Sequence, residues 1–379
     1  MATEKLIVKN FGPIREAELD LKKVTVFIGE QASGKSVLAK LITIFTSNEI
    51  LANMDTILEP LKFYEIDTFL NSDSFIDCEI DSLKFRVIDT KFQFYKSENY
   101  DSEMTKIDDL VNALESQLEY KNTQTFQEIV KYARTLVNTL RKDTIYIPTE
   151  RFLISTISDS LFGLTLNNIT LPKYLLSFGQ LFEESRKIIN NFKTNVIKNL
   201  SFDFKEGKNL VNYKKNELEL SKTSSGIQSL IPLLLCINHA NLKSKAKRFV
   251  IEEPELNLYP STQKKLVEYL IENCTQKDNR LIITTHSPYI LTTLNNLIQA
   301  KNVVKQNPEL ADEVAKIIPP QYHLDFDDLA VYFVADGTVK SILNVENQLI
   351  DATALDDISN EIGEEFGKLL ELEFQNESL

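Results

Sequence analysis

The chain has 379 residues, of which 43% are hydrophobic, and a formal net charge of −13 at pH 7. This hydrophobic content is enough for a sizeable core, either one large domain or a core with inserted subdomains. The acidic balance argues against a surface coated throughout by nucleic acid, although a local basic groove is compatible with it.

The sequence shows no pattern of membrane insertion or secretion. No apolar stretch approaches the roughly 20 residues that a membrane span needs, and the N-terminus MATEKLIVKN lacks the order of a signal peptide. The three cysteines have neither zinc-ligand spacing nor the pattern of a disulfide framework: Cys78, Cys236 and Cys274. We therefore expect a cytoplasmic globular protein with no membrane contact.

A glycine-containing loop stands between a predicted strand and a predicted helix. The apolar run from Val24 to Ile28 predicts the strand, and the residues after Ser36 have the apolar spacing of a helix. Between them GEQASGKS fits the phosphate-loop pattern G-x-x-x-x-G-K-[ST], whose backbone N–H groups converge on nucleotide phosphates. The predicted nucleotide-binding residues are Gly29, Glu30, Gln31, Ala32, Ser33, Gly34, Lys35, Ser36 and Val37.

Two side chains of this loop have separate predicted roles. Lys35 supplies a positive charge to the β- and γ-phosphates, and the Ser36 hydroxyl is a ligand for Mg²⁺. The predicted cofactors are therefore ATP and Mg²⁺.

The next segments predict a β-meander and then a helical insertion. Alternating runs at about 76–80, 83–88 and 91–96 predict three strands. Residues 99–142 contain no glycine or proline and predict two helices. Gln93, near the end of the meander, is a candidate Mg²⁺ ligand, with a plain surface glutamine as the alternative.

The chain then returns to a core. A strand is predicted at 144–147 before Pro148, a helical block at about 173–200, and a hairpin at about 201–220. Further apolar strands follow at 249–251 and 281–284.

The strand at 249–251 ends in an acidic pair. Glu252 would hold Mg²⁺ directly or through water, and Glu253 can polarise the attacking water as a general base. A solvated acidic turn before Pro254 is the alternative.

The strand at 281–284 ends in Thr285-His286-Ser287-Pro288. Ligands bind at the carboxyl edge of an open α/β sheet, so the His286 N–H could donate to the γ-phosphate. A structural histidine is the alternative.

A Ser-Gly turn, Ser225-Gly226, precedes the apolar helix that begins near Leu230. Such a turn is either a plain helix N-cap or a second anion site. One chain cannot easily aim two helix N-termini at opposite sides of one γ-phosphate, so the second interpretation predicts a dimer.

The ordered set GEQASGKS, SSGIQ, IEEPE and TTHSP resembles the ATPase heads of the ABC/SMC class, particularly the OLD family and the AAA-labelled ATPases of bacterial defence systems. The resemblance covers most of residues 3–300. It implies a two-lobed α/β head, two copies of which sandwich two ATP molecules. Ser225 and Gly226 would then act on the partner's nucleotide, with Glu253 as catalytic carboxylate and His286 as switch histidine.

The sequence departs from that family at several positions. The signature has Ser224 in place of the leading leucine of L-S-G-G-Q and Ile227 in place of its second glycine. A further resemblance to the same group is its Y-I-P-x-E-R stretch, which corresponds here to residues 146–151. Arg151 could contact phosphate or the partner. A structural salt bridge is the alternative.

The expected organisation has four parts. Residues 1–98 form the N-terminal half of the ATPase core, 99–142 the helical insertion, 143–300 the C-terminal half of the core, and 301–379 a small α+β extension. The extension is predicted to contain a hairpin at 329–335 and 338–344 and an amphipathic helix from about 353.

The favoured function is an ATPase that dimerises head to head around ATP and regulates a separately encoded effector, as in antiviral defence. About 90 residues follow His286, too few for an appended nuclease domain with its linkers. The alternative is a recombination or repair ATPase that clamps DNA. A transporter subunit is disfavoured by the late, variant signature and the large insertions.

Overall fold

The structure, a computed structural model, describes residues 4–47, 57–80, 83–96, 142–157 and 170–351. The helices are α1 (Lys35–Thr46), α2 (Leu58–Phe63), α3 (Arg151–Ile157), α4 (Lys173–Ile188), α5 (Ser225–Asn241), α6 (Pro260–Cys274), α7 (Pro288–Gln306) and α8 (Ala311–Ile317). The strands are β1 (Glu4–Phe11), β2 (Ile14–Leu21), β3 (Val24–Ile28), β4 (Phe75–Ile80), β5 (Leu83–Ile88), β6 (Lys91–Lys96), β7 (Asp143–Ile147), β8 (Asn191–Thr194), β9 (Leu200–Lys205), β10 (Lys208–Tyr213), β11 (Asn216–Glu219), β12 (Lys247–Glu252), β13 (Arg280–Thr285), β14 (Leu329–Ala335), β15 (Thr338–Ser341), β16 (Leu343–Asn344) and β17 (Leu349–Ile350).

The core is an 11-stranded mixed sheet with the order β6-β5-β4-β1-β2-β15-β14-β3-β13-β12-β7. Strands β14, β3, β13, β12 and β7 are parallel neighbours. Every residue of β3 and β12 is buried, as expected for strands covered on both faces. Helix α1 packs against β7, β12 and β13. The predicted α/β class is confirmed.

The antiparallel end of the sheet contains the predicted meander. Strands β4, β5 and β6 pair in sequence order, and β4 joins β1. The buried face of β5 meets the end of α1, where the Phe45 and Phe85 rings lie 5.7 Å apart. Helix α1 therefore contacts both the antiparallel and the parallel part of the sheet.

Helix α4 ends earlier than the sequence pattern predicts. It stops at Ile188, and residues 191–194 form β8, which pairs with β9 in a separate four-stranded sheet. The Phe192 and Phe202 rings contact each other across this pair with centroids 5.7 Å apart. This cross-strand contact outweighs the local helical pattern.

The predicted C-terminal hairpin is part of the core sheet. Strand β14 lies parallel to β3, and β15 meets β2. The division into a core ending at residue 300 and a separate extension is therefore wrong for this hairpin. Residues 99–141 of the predicted insertion and the helix predicted from 353 lie outside the described residues.

Among the described residues, no helix has both the length and the apolar character needed to cross a membrane. Cys78, Cys236 and Cys274 are buried and form no disulfide bond.

A buried ionic cluster joins the first strand to the parallel core. Glu4 is 4% exposed and accepts from the fully buried Arg248 guanidinium at 2.8 and 2.9 Å. Arg280 lies 3.3 Å from the same carboxylate. Removing one member of such a cluster leaves a buried charge without its partner.

We expect Glu4→Gln to lower the free energy of unfolding by about 3 kcal/mol, the typical cost of breaking a buried pair. Chemical denaturation followed by circular dichroism measures the change. Lys5→Gln is the matched control, because Lys5 and Asp20 form an exposed pair at 3.7 Å and its loss should change little. Equal stability of both variants would contradict this account of the cluster.

Candidate functional site

The predicted motifs meet at one edge of the parallel sheet. Ile28 is opposite Thr285, Glu252 is opposite Thr284, and Ile251 is opposite Ile147. The loops that leave β3, β12, β13 and β7 therefore begin at the same level. This is the edge at which open parallel sheets bind ligands.

Two glycines of the loop 29–36 are required by close contacts. A Cβ on Gly29 would lie 2.1 Å from the Val334 carbonyl oxygen, so β14 packs directly behind the loop. Gly34 has φ +109°, and a Cβ there would lie 2.3 Å from Ile14 Cδ1. Gly34 also precedes α1 without a side-chain cap, so the first N–H groups of α1 are available to an anion.

Lys35 reaches back across the loop. Its Nζ donates to the carbonyl oxygens of Gly29 at 3.0 Å and Glu30 at 2.6 Å, and to Ser33 Oγ at 3.3 Å. Burial lowers the pKa of Lys35, while the Glu253 and Glu255 carboxylates oppose that shift. The ammonium group is therefore positioned inside the loop, where a phosphate would compete for it.

Glu252 is a buried carboxylate that the structure joins to Ser36. Glu252 Oε1 accepts from the Tyr146 hydroxyl at 2.7 Å, and Oε2 accepts from Thr149 Oγ1 at 3.3 Å. Burial raises the pKa of Glu252, whereas hydrogen bonds from Tyr146 and Ser36 and the charge of Lys40 lower it. Ser36 and Glu252, two of the three predicted metal ligands, thus lie in contact.

The hard oxygen donors of Ser36 and Glu252 fit Mg²⁺. No group of three or more His, Cys, Asp or Glu side chains forms a metal site in the described parts of the chain. Mg²⁺ does not require one, since it is commonly bound by one or two protein oxygens together with substrate phosphates and water.

Glu253 and His286 lie side by side at the outer part of this edge. Glu253 Oε1 is 3.5 Å from His286 Nε2, and both side chains are partly exposed. Glu253 has φ +40°, and its N–H donates to the Thr284 carbonyl oxygen at 2.9 Å. This positive φ is uncommon for a residue with a side chain and indicates a constrained position.

Glu255 is a site residue that the sequence analysis missed. Its Oε1 accepts from Thr285 Oγ1 at 2.6 Å and from the His286 N–H at 2.9 Å. Its Oε2 is buried without a hydrogen-bond partner. Burial raises the pKa of Glu255, and the charge of Glu253 adds to the shift. The third glutamate of the run IEEPE was the available signal.

Arg151 is a buried cation that binds backbone carbonyl oxygens near the end of β12. Its fully buried guanidinium donates to the carbonyl oxygens of Pro148 at 3.1 Å, Glu252 at 2.7 Å and Glu253 at 2.7 Å. These bonds to carbonyl oxygens replace the predicted salt bridge, whereas contact with phosphate or with the partner stays a prediction. Burial lowers the pKa of Arg151 to about 10, against the nearby carboxylates.

The signature turn lies beside the loop that follows β12. Ser225 is exposed at the first position of α5, and a Cβ on the buried Gly226 would lie 2.6 Å from the Asn257 carbonyl oxygen. The Gln228 side chain donates to the carbonyl oxygens of Ser221 and Thr223 and so fixes the preceding turn. No hydrogen bond among the described residues joins Ser225 to residues 29–36.

Gln93 lies in the antiparallel part of the sheet, whereas the other predicted metal ligands lie at the edge of the parallel strands. It lies on β6, the edge strand at the end of the sheet opposite to β7. It is exposed and pairs with Arg86, on the face opposite to the buried Phe85 that meets α1. This placement favours the surface-glutamine alternative.

Comparison with known proteins decides the family. The family model described as AAA ATPase domain matches residues 1–165 and 153–291, which together span 1–291 of the 379 residues. The chain belongs to the AAA ATPase domain family. An ATPase domain binds nucleotide, which is the function predicted for residues 29–36. No curated protein matches this AAA ATPase domain.

Several solved structures resemble this AAA ATPase domain at 12% identity. The SMC head bound to the C-winged helix domain of ScpA has a TM-score of 0.46 and covers 92% of this chain and 100% of its own. The SMC head domain from Thermotoga maritima has a TM-score of 0.41, with coverages of 90% and 98%. The Pyrococcus furiosus Smc head bound to the C-terminal domain of ScpA also has 0.41, with coverages of 94% and 99%.

We expect Tyr146→Phe to move the acid limb of the ATPase pH profile to higher pH. The Tyr146 hydroxyl lowers the pKa of Glu252, so its loss raises that pKa further, and a protonated Glu252 holds a cation poorly. Tyr269→Phe is the control, because Tyr269 is a tyrosine hydrogen-bonded to Asn238 away from this edge. The measurement is the hydrolysis rate from pH 5 to 9 at saturating Mg-ATP. If Tyr146→Phe and Tyr269→Phe both give the wild-type pH profile, the role assigned to the Tyr146–Glu252 hydrogen bond is contradicted.

Proposed function

We propose that this AAA ATPase domain binds ATP with Mg²⁺ at residues 29–36 and completes its hydrolytic site by engaging a second copy of the chain head to head. The observation that carries the proposal is the position of the α5 N-terminus. It presents Ser225 at the surface and makes no hydrogen bond to the chain's own loop 29–36 among the described residues.

The first turn of α5 is suited to an anion supplied from outside. Ser224 forms no side-chain cap, so the first N–H groups of the 17-residue helix are open to an acceptor. Gly226 packs against the Asn257 carbonyl oxygen without space for a side chain, and this contact holds the turn in place. In a two-fold dimer, each copy would present this turn to the nucleotide of the other.

Each residue at the sheet edge has a separate proposed role in binding and hydrolysing ATP. Ser36 and Glu252 would hold Mg²⁺, which when bound neutralises charge on the phosphates and orients them. Lys35 would exchange its bonds to loop carbonyl oxygens for bonds to phosphate oxygens.

Glu253 would orient the attacking water and accept its proton as the bond to phosphorus forms. His286, 3.5 Å from Glu253, would donate to a γ-phosphate oxygen. Glu255 acts indirectly: it holds the His286 backbone and Thr285 through its Oε1.

The output of this cycle is proposed to be the control of a separately encoded effector protein, with antiviral defence as the setting. The support is the motif resemblance and the proximity of Ser36, Glu252, Glu253 and His286 at one edge of the sheet. ATP-dependent nuclease activity of the purified chain alone would contradict this part of the proposal.

Mixing two inactive variants tests whether Ser225 acts on the partner's nucleotide. Lys35→Ala removes the loop cation, and Ser225→Arg blocks the α5 N-terminus at an exposed position. A mixed dimer contains one site with both defects and one intact site, so an equimolar mixture should recover roughly a quarter of wild-type ATPase sites. Ser229→Ala is the control variant, because Ser229 lies farther along α5 and is buried. The ATPase rate of its mixture with Lys35→Ala should not exceed the rate of Ser229→Ala alone.

The mixture shows no recovery if each chain hydrolyses ATP with its own Ser225. That outcome would contradict the composite site while leaving nucleotide binding intact.

A further inference from the structure

A cavity lies behind the metal-site carboxylate, along β7. It has a volume of about 390 Å³ and is bounded by the end of α1, by α2 and α4, and by the end of α5. Strand β7 is the last strand at this end of the described sheet, which leaves its outer side open to the cavity. The volume falls in the range of about 300–1,000 Å³ that is typical of small-molecule sites.

One side of the cavity is an aromatic wall. The Tyr64 ring lies edge-on to Tyr146 at 5.2 Å and stacks on Tyr174 at 6.2 Å, with 9° between the planes. Tyr146 and Tyr174 meet edge-on at 5.9 Å, and Phe178 also lines the cavity. Such a cluster offers ring faces and edges to a planar aromatic group.

The other side of the cavity carries positive charge. Lys247 is 2% exposed, donates to the Lys245 carbonyl oxygen and lies 3.6 Å from Asp143 Oδ2. Lys245 binds the other oxygen of Asp143 at 2.6 Å. Lys243 is exposed at the cavity rim and makes no ion pair among the described residues. Lys245 and Lys247 therefore share one carboxylate, and Lys243 adds a further positive charge at the rim.

His239 adds a neutral polar group to this side. Its Nδ1 is hydrogen-bonded to Ser185 Oγ at 2.9 Å, which leaves Nε2 as the ring nitrogen without a partner in the described part of the chain. Burial lowers the pKa of His239, and the charge of Lys243 lowers it further. The local excess of positive charge contrasts with the net charge of −13 of the whole chain.

The aromatic wall is bonded directly to the ATPase edge. Tyr146 lines the cavity with its ring and donates its hydroxyl to Glu252 Oε1 at 2.7 Å. Tyr174 donates to Glu150 at 3.1 Å, and Lys40 lies 4.5 Å from the centre of the Tyr174 ring. A ligand that shifts these rings would change how Glu252 is held.

We propose that this cavity binds a small planar aromatic anion and that its occupancy is coupled to Mg-ATP through the Tyr146–Glu252 hydrogen bond. Binding of the anion is argued from the cavity alone, whereas its coupling to Mg-ATP rests on the proposed function. Because coupling is reciprocal, Mg-ATP should change the affinity for the aromatic anion as much as the anion changes the affinity for Mg-ATP.

Indole-3-acetate is a suitable probe, because the chain has no tryptophan and the probe is then the only indole in the sample. Fluorescence anisotropy should show saturable binding to the wild type and to Lys35→Ala, in which the phosphate loop is disabled. Lys243→Glu should weaken binding at least about tenfold, since it reverses the charge at the rim. Lys305→Glu, an equal change at an exposed lysine outside the cavity, should have no effect.

A second variant blocks the cavity without changing its charge, and so separates loss of the site from a general effect of charge on probe binding. Ala240→Phe places a ring in the cavity and should abolish probe binding, with the fold checked by circular dichroism. Competition identifies the class of natural ligand: displacement by AMP indicates a nucleotide, and its failure indicates an aromatic carboxylate. Absence of saturable binding, or equal binding by Lys243→Glu and wild type, would overturn the site.

The coupling is tested with Mg²⁺ and a non-hydrolysable ATP analogue. The analogue should change the dissociation constant of the probe in the wild type but not in Tyr146→Phe. An unchanged constant with normal analogue binding would overturn the coupling alone. If the analogue does not bind at all, the proposed function fails while the aromatic-anion site stands.

Discussion

The register of the parallel strands is the constraint on which the site depends. Glu252, Thr285 and the loop after Ile28 converge because β12, β13 and β3 pair in parallel with their carboxyl ends aligned. A slip of one residue would turn each side chain to the opposite face of the sheet and separate Glu252 from Ser36. The buried Arg151 guanidinium reinforces this alignment, since it binds a carbonyl oxygen just after β7 and two at the end of β12.

That alignment concentrates charge at a buried edge. Glu252, Glu253 and Glu255 face Lys35 and Arg151, and burial raises the pKa values of Glu252 and Glu255. Neutralising a buried carboxylate requires a proton or a cation, because an unpaired buried charge is costly. A divalent cation at Ser36 and Glu252 would supply the missing charge, which connects the electrostatics of the edge to the chemistry proposed for it.

Local sequence patterns predicted the residues of this edge but not all of their neighbours. Residues 29–36 and His286 each follow a strand and Glu252 ends one, so strand ends alone indicated where they would meet. The contact between Tyr146 and Glu252 depends on the pairing of β7 with β12, which are about a hundred residues apart. The insertion of β14 beside β3 and the position of Gln93 on the edge strand β6 depend in the same way on strand order, which periodicity does not encode.

The central claim, that ATP joins two copies of the chain, is tested most directly by light scattering on Glu253→Gln and Lys35→Ala with Mg-ATP. The first variant should bind ATP without hydrolysing it and accumulate as a dimer, or as a changed larger assembly, whereas the second should not respond to ATP. Identical molar masses for both variants with and without ATP would contradict the claim.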